Sequence, residues 1–297
     1  MHPNLVNLLE LFIQSQNPLL TERTIFNKRH YTELFLDFID HRGCQTLSGF
    51  DINLVYEFIV SLDYASQTIS NIQFVLRDFF NVMFEKGISE INGRTVFPVI
   101  FTNKRDRILS YYQTEEVKAL INAIDITVKN GVRDKCWILL AAQTGLRASD
   151  ILQLKFTEIL WDKHIIQKTQ FKTKLPVTVV IPKNLELLLV DYIKNHRPIS
   201  DSEYVFIFEG TGKRYCDTSI FFVVNRYFKK AEVTIGNRKH GPHALRHSLA
   251  TNLLKNNAPM PVITGILGHK NLNTTSKYLS IDIDNLRRCC LEVSYEE

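Results

Sequence analysis

The sequence predicts a mainly α-helical chain in two parts: a helical N-terminal domain, then a larger α+β domain containing one small β-hairpin. Three observations carry this expectation. Apolar residues through the first hundred positions recur at spacings of three and four, the period of one buried helix face. Short β-rich runs occur in a single place, from His164 to Phe171 and from Val177 to Ile181, around the polar tip Lys172-Thr-Lys-Leu-Pro176. Between the two parts lies a basic, weakly periodic stretch holding Lys104, Arg105 and Arg107.

In order along the chain, helices are expected over roughly Pro3 to Gln14, Glu22 to His41 and Asp51 to Leu62, with a fourth through Ile69, Ile72, Val75, Leu76, Phe79, Phe80 and Met83. Asn17-Pro18 and Arg42-Gly43 mark the breaks. Asn92-Gly93 reads as a turn within a loop, because the runs beside it are short and do not alternate. These features set the boundaries at residues 1–103 for the helical domain, 104–113 for a linker and 114–297 for the second domain with a C-terminal tail. The second domain begins near Thr114, where Thr-Glu-Glu-Val places an N-cap before acids suited to the positive end of a helix.

Composition narrows the function. The chain has 297 residues, 45% hydrophobic and 23% charged, enough to bury two cores. Apolar stretches such as Trp137 to Ala142 fall far short of the ~18 residues of a membrane span. The N-terminus lacks a basic-then-apolar secretory pattern, so the expected location is the cytoplasm, with no membrane partner. Five cysteines without a CxxC pair fit a reducing compartment. Net charge is +5 and unevenly spread: residues 1–103 hold 7 Lys+Arg against 11 Asp+Glu, leaving 29 against 20 for the remainder. A polyanionic partner would therefore draw most of its phosphate attraction from the second domain.

Attack on a phosphodiester without a metal needs a nucleophile, cations on the non-bridging oxygens and an acid for the departing oxygen. The second domain offers each. Gly241-Pro242-His243-Ala-Leu-Arg246-His247 opens a helix with Pro242 in its first turn, so His243 and Arg246 share one face near an end that attracts anions. Thr144-Gly145-Leu146-Arg147-Ala148-Ser149-Asp150 follows an apolar helix from Cys136 to Gln143. Gly145 suits its left-handed end, and Arg147 stands at the turn with Asp150 three residues on to orient its guanidinium. Gly265-Ile-Leu-Gly268-His269-Lys-Asn-Leu-Asn273-Thr-Thr-Ser-Lys-Tyr278-Leu combines a helix stop at Gly268, a polar loop, and a short helix capped by Asn273 or Thr274. Met260 to Leu279 also has the pattern of a helix-turn-helix, which would make it a DNA reader.

Taken together and in order, Arg147, a hairpin lysine, His243-x-x-Arg246, Gly268-His269 and Tyr278 resemble the tyrosine recombinase (phage integrase) family. The resemblance spans about Thr114 to Tyr278, and the preceding helical region looks like that family's core-binding domain. Asp150 stands where many relatives have Glu. The hairpin offers Lys168, Lys172 and Lys174 for one role, and Lys172-Thr-Lys-Leu-Pro-Val resembles the family's hairpin turn. The resemblance implies that Tyr278 attacks the scissile phosphorus, releases a 5′-hydroxyl and leaves a 3′-phosphotyrosyl bond, with no metal or other cofactor. Arg147, Arg246 and His269 would stabilise the phosphate, His243 would assist proton movement at the tyrosine, and Lys172 would protonate the departing oxygen. It also implies double-stranded DNA as partner, four protomers on two sites exchanging strands through a Holliday junction, and accessory proteins in some relatives. The tail from Ile281 has the pattern of a short amphipathic helix, which docks on a neighbouring protomer or packs on its own domain. A type IB topoisomerase would share the chemistry, a helix-turn-helix binding protein would need neither Arg147 nor Tyr278, and a metal nuclease would need clustered carboxylates.

Overall fold

The computed structural model of the chain describes residues 1–96, 109–216, 218–236 and 238–281. By contacts between residues it divides into two compact units, residues 1–106 and 107–297. Residues 104–108 of the expected linker and all of the C-terminal tail after Ile281 lie outside the described residues.

The first unit holds helices α1 (Pro3–Gln14), α2 (Glu22–Asp40), α3 (Asn53–Ser61) and α4 (Ser66–Glu85), as the periodicity predicts. In α4, Ile72, Val75, Leu76, Phe79, Phe80 and Met83 are buried on one face. Phe35 of α2 meets Phe80 edge to face with 5.7 Å between ring centroids, and Phe12 of α1 meets Phe79 in the same way at 5.4 Å. Asn92-Gly93 departs from the expectation: it opens a one-turn helix, α5 (Gly93–Val96). The Asn92 carboxamide oxygen accepts the Arg94 N–H at 3.0 Å, so the asparagine acts as a helix cap rather than as a turn between extended segments.

The second unit opens with α6 (Thr114–Asn122), whose cap is Gln113 and not Thr114. The Gln113 N–H donates to the Glu116 carboxylate at 2.8 Å, so the glutamate three residues in serves the free backbone donor. Helix α7 (Gly131–Leu139) runs through the core with Cys136, Trp137, Ile138 and Leu139 buried, widens into a π-turn over Leu140–Thr144, and ends at Gly145 with φ +68°. Helix α8 (Ala148–Leu152) follows at once.

Among the described residues the sheet has three antiparallel strands, not two: β1 (Ile159–Leu160), β2 (Ile165–Thr169) and β3 (Pro176–Val180), in that order. The hairpin register pairs Ile165 with Val180 and Thr169 with Pro176. Strand β1 is two residues long, too short for an alternating pattern to reveal it. Ile166, Val177 and Val179 point into the core, while Gln167, Thr169 and Thr178 face out. Helices α9 (Lys183–Asp191), α10 (Ser219–Lys230), α11 (Pro242–Lys255) and α12 (Met260–Leu267) complete the unit, with a last short helix α13 (Leu272–Thr275) running into a 3-10 segment, Ser276–Ile281. Helix α13 thus begins at Leu272, ahead of the Asn273 or Thr274 cap expected. Among the described residues no helix is long and apolar enough to cross a membrane.

Candidate active site

The second unit brings Arg147, Lys172 and Arg246 together where α8, the β2–β3 turn, α11 and α12 meet. Arg147 occupies the cap position of α8, in extended backbone just after the left-handed Gly145. Its guanidinium donates to the side-chain oxygen of Gln170, which follows β2. Asp150 is completely buried, but its main partner is the Phe171 N–H, donating to Oδ1 at 2.8 Å. Its Oδ2 stands 4.0 Å from Arg147 Nη1. The expected Arg147–Asp150 pairing is therefore loose, and the acid's direct bond is to the hairpin.

Arg246 projects from the second turn of α11 and is buried to 3% exposure. It donates to the Gly145 carbonyl at 2.5 Å and to the Leu267 carbonyl, so it closes the C-terminal ends of two helices at once. Burial, then the neighbouring Arg147, push its pKa down to about 10, which leaves it cationic at neutral pH. Arg147 is lowered as well, chiefly by burial.

Pro242 starts α11, preceded by Gly241 at φ +109°, and this sets His243 at the exposed rim of the site. Loss of hydration and the cations Arg246, Lys172 and Arg147 hold His243 below the ordinary imidazole range. Lys172 is exposed in the hairpin turn and close enough to contribute to that shift. Lys168 is elsewhere: strand alternation turns it inward, where its ammonium donates to Glu158 at 2.9 Å and to the Gln153 carbonyl at 3.1 Å. Lys174 takes a left-handed φ of +57° and lies over the Phe171 ring.

Gly268 ends α12 with φ +58°, and His269 follows with Nδ1 2.8 Å from the Thr275 hydroxyl. Tyr278 sits in the 3-10 segment at 1% exposure, packed with Ala250, Leu254, Ile263 and Leu267. In the helix-turn-helix alternative the second element is a single helical turn, α13, that runs into the 3-10 segment, with Thr274, Ser276 and Leu279 exposed and Tyr278 buried. The Tyr278 phenol meets His247 Nδ1 at 2.7 Å, and its ring stacks parallel to that of His269 with centroids 6.4 Å apart. Burial pushes its pKa up to about 12, against the pull of Arg246 and Arg147.

The structure thus brings Arg147, Lys172, His243, Arg246, His269 and Tyr278 into one region, and it adds two residues that the sequence reading left without a role. His247 lies one helical turn beyond His243, with the two rings stacked at 6.3 Å. Gln170 is fully buried between the arginines. The spacing His243-x-x-x-His247 was a signal for the first, because positions four apart share a helix face. The second carries no local pattern.

Comparison with known proteins shows the family of the chain. A sequence model of the phage integrase family matches residues 111–284. The chain is 26% identical over 256 residues to tyrosine recombinase XerC of Staphylococcus epidermidis, across 85% of this chain and 83% of that protein. It is 32% identical over 176 residues to tyrosine recombinase XerA of Thermococcus kodakarensis, across 59% of each. In fold it is similar to the XerH site-specific recombinase solved with a difH substrate in a post-cleavage complex, with a TM-score of 0.75, 17% identity, and coverage of 96% of this chain and 94% of that one. With the family match extending over more than half of its length, the chain belongs to the phage integrase family, the tyrosine recombinases.

Proposed function

We propose that the protein is a site-specific recombinase that cuts and rejoins double-stranded DNA through a 3′-phosphotyrosyl bond to Tyr278. The observation that carries this reading is the convergence on one phenol: Tyr278 is hydrogen-bonded to His247 while the charges of Arg246 and Arg147 act on it from nearby. A phenol with an ordinary pKa of about 10 needs a proton acceptor to attack near neutral pH. His247 Nδ1 takes that proton as the Tyr278 Oη–P bond forms, and His243, one turn away on the same helix, assists proton movement at the tyrosine. Arg147, Arg246 and His269 bind the non-bridging oxygens as charge builds on them. Lys172 protonates the 5′ oxygen as the P–O bond breaks. No metal takes part in these steps. The phenol is buried, so cleavage requires the 3-10 segment to shift and deliver Oη to the phosphorus.

On this reading residues 1–103 form a core-binding domain, residues 114–297 the catalytic domain, and four protomers on two sites exchange strands through a Holliday junction, with accessory proteins where the site requires them. The phosphotyrosyl bond stores the energy of the broken one, so religation needs no ATP. Covalent capture of DNA in EDTA tests the chemistry: the unaltered chain forms a protein–DNA adduct at Tyr278, and Tyr278→Phe binds DNA without forming it. Strand exchange between two sites separates a recombinase from a type IB topoisomerase, which would relax DNA without exchange.

A further inference from the structure

The neutral carboxamide of Gln170 links the two arginines, taking a bond from Arg147 and sharing the Leu267 carbonyl with Arg246. It is fully buried directly after β2, and its own backbone closes the hairpin turn, with Gln170 N–H donating to the Leu175 carbonyl at 2.9 Å and Lys174 N–H donating to the Gln170 carbonyl at 3.0 Å. Its side-chain oxygen accepts from Arg147 and, at 2.7 Å, from the Thr173 hydroxyl beside Lys172. Its nitrogen donates to the Leu267 carbonyl at 3.1 Å, the same oxygen that receives Arg246. Both lone pairs of each oxygen are thereby used. One amide therefore ties Arg147, the turn carrying Lys172, the end of α12 just before His269, and Arg246 through a shared acceptor.

Gly268 shows that this placement is built in. A Cβ at that position would lie 2.5 Å from the Gln170 side-chain nitrogen and 2.7 Å from its carboxamide carbon. A larger residue here would push the amide from this place, and glycine also adopts φ +58° without strain. Charge matters equally. Asp150 Oδ2 waits 4.0 Å from Arg147 Nη1, with no hydrogen-bond partner among the described residues. Without the amide, the guanidinium would close onto that carboxylate. With a carboxylate in place of the amide, Arg147 would be neutralised and two oxygens would face each other at Leu267.

We propose that Gln170 is a positioning residue for the reaction: its uncharged carboxamide holds Arg147 and, through the Leu267 carbonyl, Arg246 toward a single scissile phosphate while keeping Arg147 off Asp150. This inference rests on the reading of Tyr278 as nucleophile and of the arginines as phosphate ligands.

The test compares single-turnover cleavage of two DNA substrates by the full chain, one with the normal scissile phosphate and one with a methylphosphonate there. The methylphosphonate lacks one non-bridging charge and so asks less of the arginines. Gln170→Met, similar in size but unable to hydrogen-bond, should bind DNA nearly as the unaltered chain does and cleave the phosphate about 10–100-fold more slowly, the scale of a misplaced catalytic group. Gln170→Glu should lose more. Both deficits should shrink on the methylphosphonate, and that of Arg147→Ala should shrink with them. If Gln170→Met does not fold, Thr173→Val, which removes only the hairpin arm of the network, should give a smaller loss with the same substrate dependence. Unchanged cleavage in these variants, or an equal proportional loss on both substrates, overturns the proposal. Absence of any Tyr278–DNA adduct from the unaltered chain would instead overturn the underlying reaction.

Discussion

The hydroxyl of Tyr278 and Nδ1 of His247 lie 2.7 Å apart, inside a cluster that leaves the tyrosine 1% exposed. The ring nitrogen within hydrogen-bond reach of the phenol is therefore that of His247 and not that of His243, which stands at the rim. If His247 accepts that proton in the reaction, His247→Ala should slow cleavage by ~10²–10⁴-fold, the range of a positioned general base. Raising the pH or replacing Tyr278 by a fluorotyrosine of lower phenol pKa should recover much of the rate, because either change lessens the need for the base. A faster His247→Ala enzyme would show the bond to be a restraint on the tyrosine instead.

The same burial predicts an alkaline signature in stability. The folded pKa of Tyr278 is about 12, above the ordinary value of about 10, so the folded state holds the proton more tightly than the unfolded one. The stabilisation is complete below the unfolded pKa and falls away as pH rises from about 10 through about 12. Thermal melting of the chain and of Tyr278→Phe across that window isolates this residue, since other titrations are common to both. The Phe variant should lose less stability with pH, and parallel curves would refute the assignment.

How far the site was legible follows from the kind of signal each residue leaves. Gly145 and Gly268 both end helices in the left-handed region, and their neighbours Arg147 and His269 could be located from them. Pro242 fixed the start of α11 and with it the shared turn of His243 and Arg246. The face of α4 from Ile72 to Met83 was readable because 3.6-residue periodicity survives in any buried amphipathic helix. Gln170 was invisible: its three side-chain partners, Arg147, Thr173 and Leu267, are mostly distant in sequence, and a buried glutamine has no period. The Gln113 cap was missed because a threonine followed by two acids fits the cap pattern equally well one residue later.

Arg147 and Arg246 should both be required for chemistry, with different consequences for the fold. Either alanine variant should raise the cleavage barrier by ~2.7–4 kcal/mol or more, the scale for losing one transition-state charge partner. Arg246→Ala should also destabilise the fold by about 1–3 kcal/mol, because the buried Gly145 and Leu267 carbonyls lose a charged donor. Arg147→Ala strips the nearby cation from the buried Asp150. Adding Asp150→Asn, which keeps an acceptor for the Phe171 N–H, should restore melting temperature without restoring cleavage. Recovery of cleavage in that double variant would make Arg147 a counter-ion for Asp150 rather than a phosphate ligand.

The three hairpin lysines should separate cleanly. A departing alkoxide needs a proton in the transition state, whereas a thiolate with a parent pKa of about 8.5 leaves without one, so a substrate whose bridging 5′ oxygen is replaced by sulfur makes the acid dispensable. Lys172, exposed in the turn and near enough to His243 to lower its pKa, is the candidate: Lys172→Ala should fail on the normal substrate and recover on the sulfur-bridged one. Lys168 is 6% exposed and committed to Glu158 and the Gln153 carbonyl. Lys168→Ala should lower the melting temperature by leaving that carboxylate with only the Lys155 N–H as donor, and should gain nothing from sulfur. Lys174, turned onto Phe171, should affect DNA affinity more than rate. If sulfur rescued Lys168→Ala instead, the hairpin would have to open on DNA and exchange its inward and outward faces. If it rescued no lysine variant, the proton would have to come from His243, His269 or a bound water.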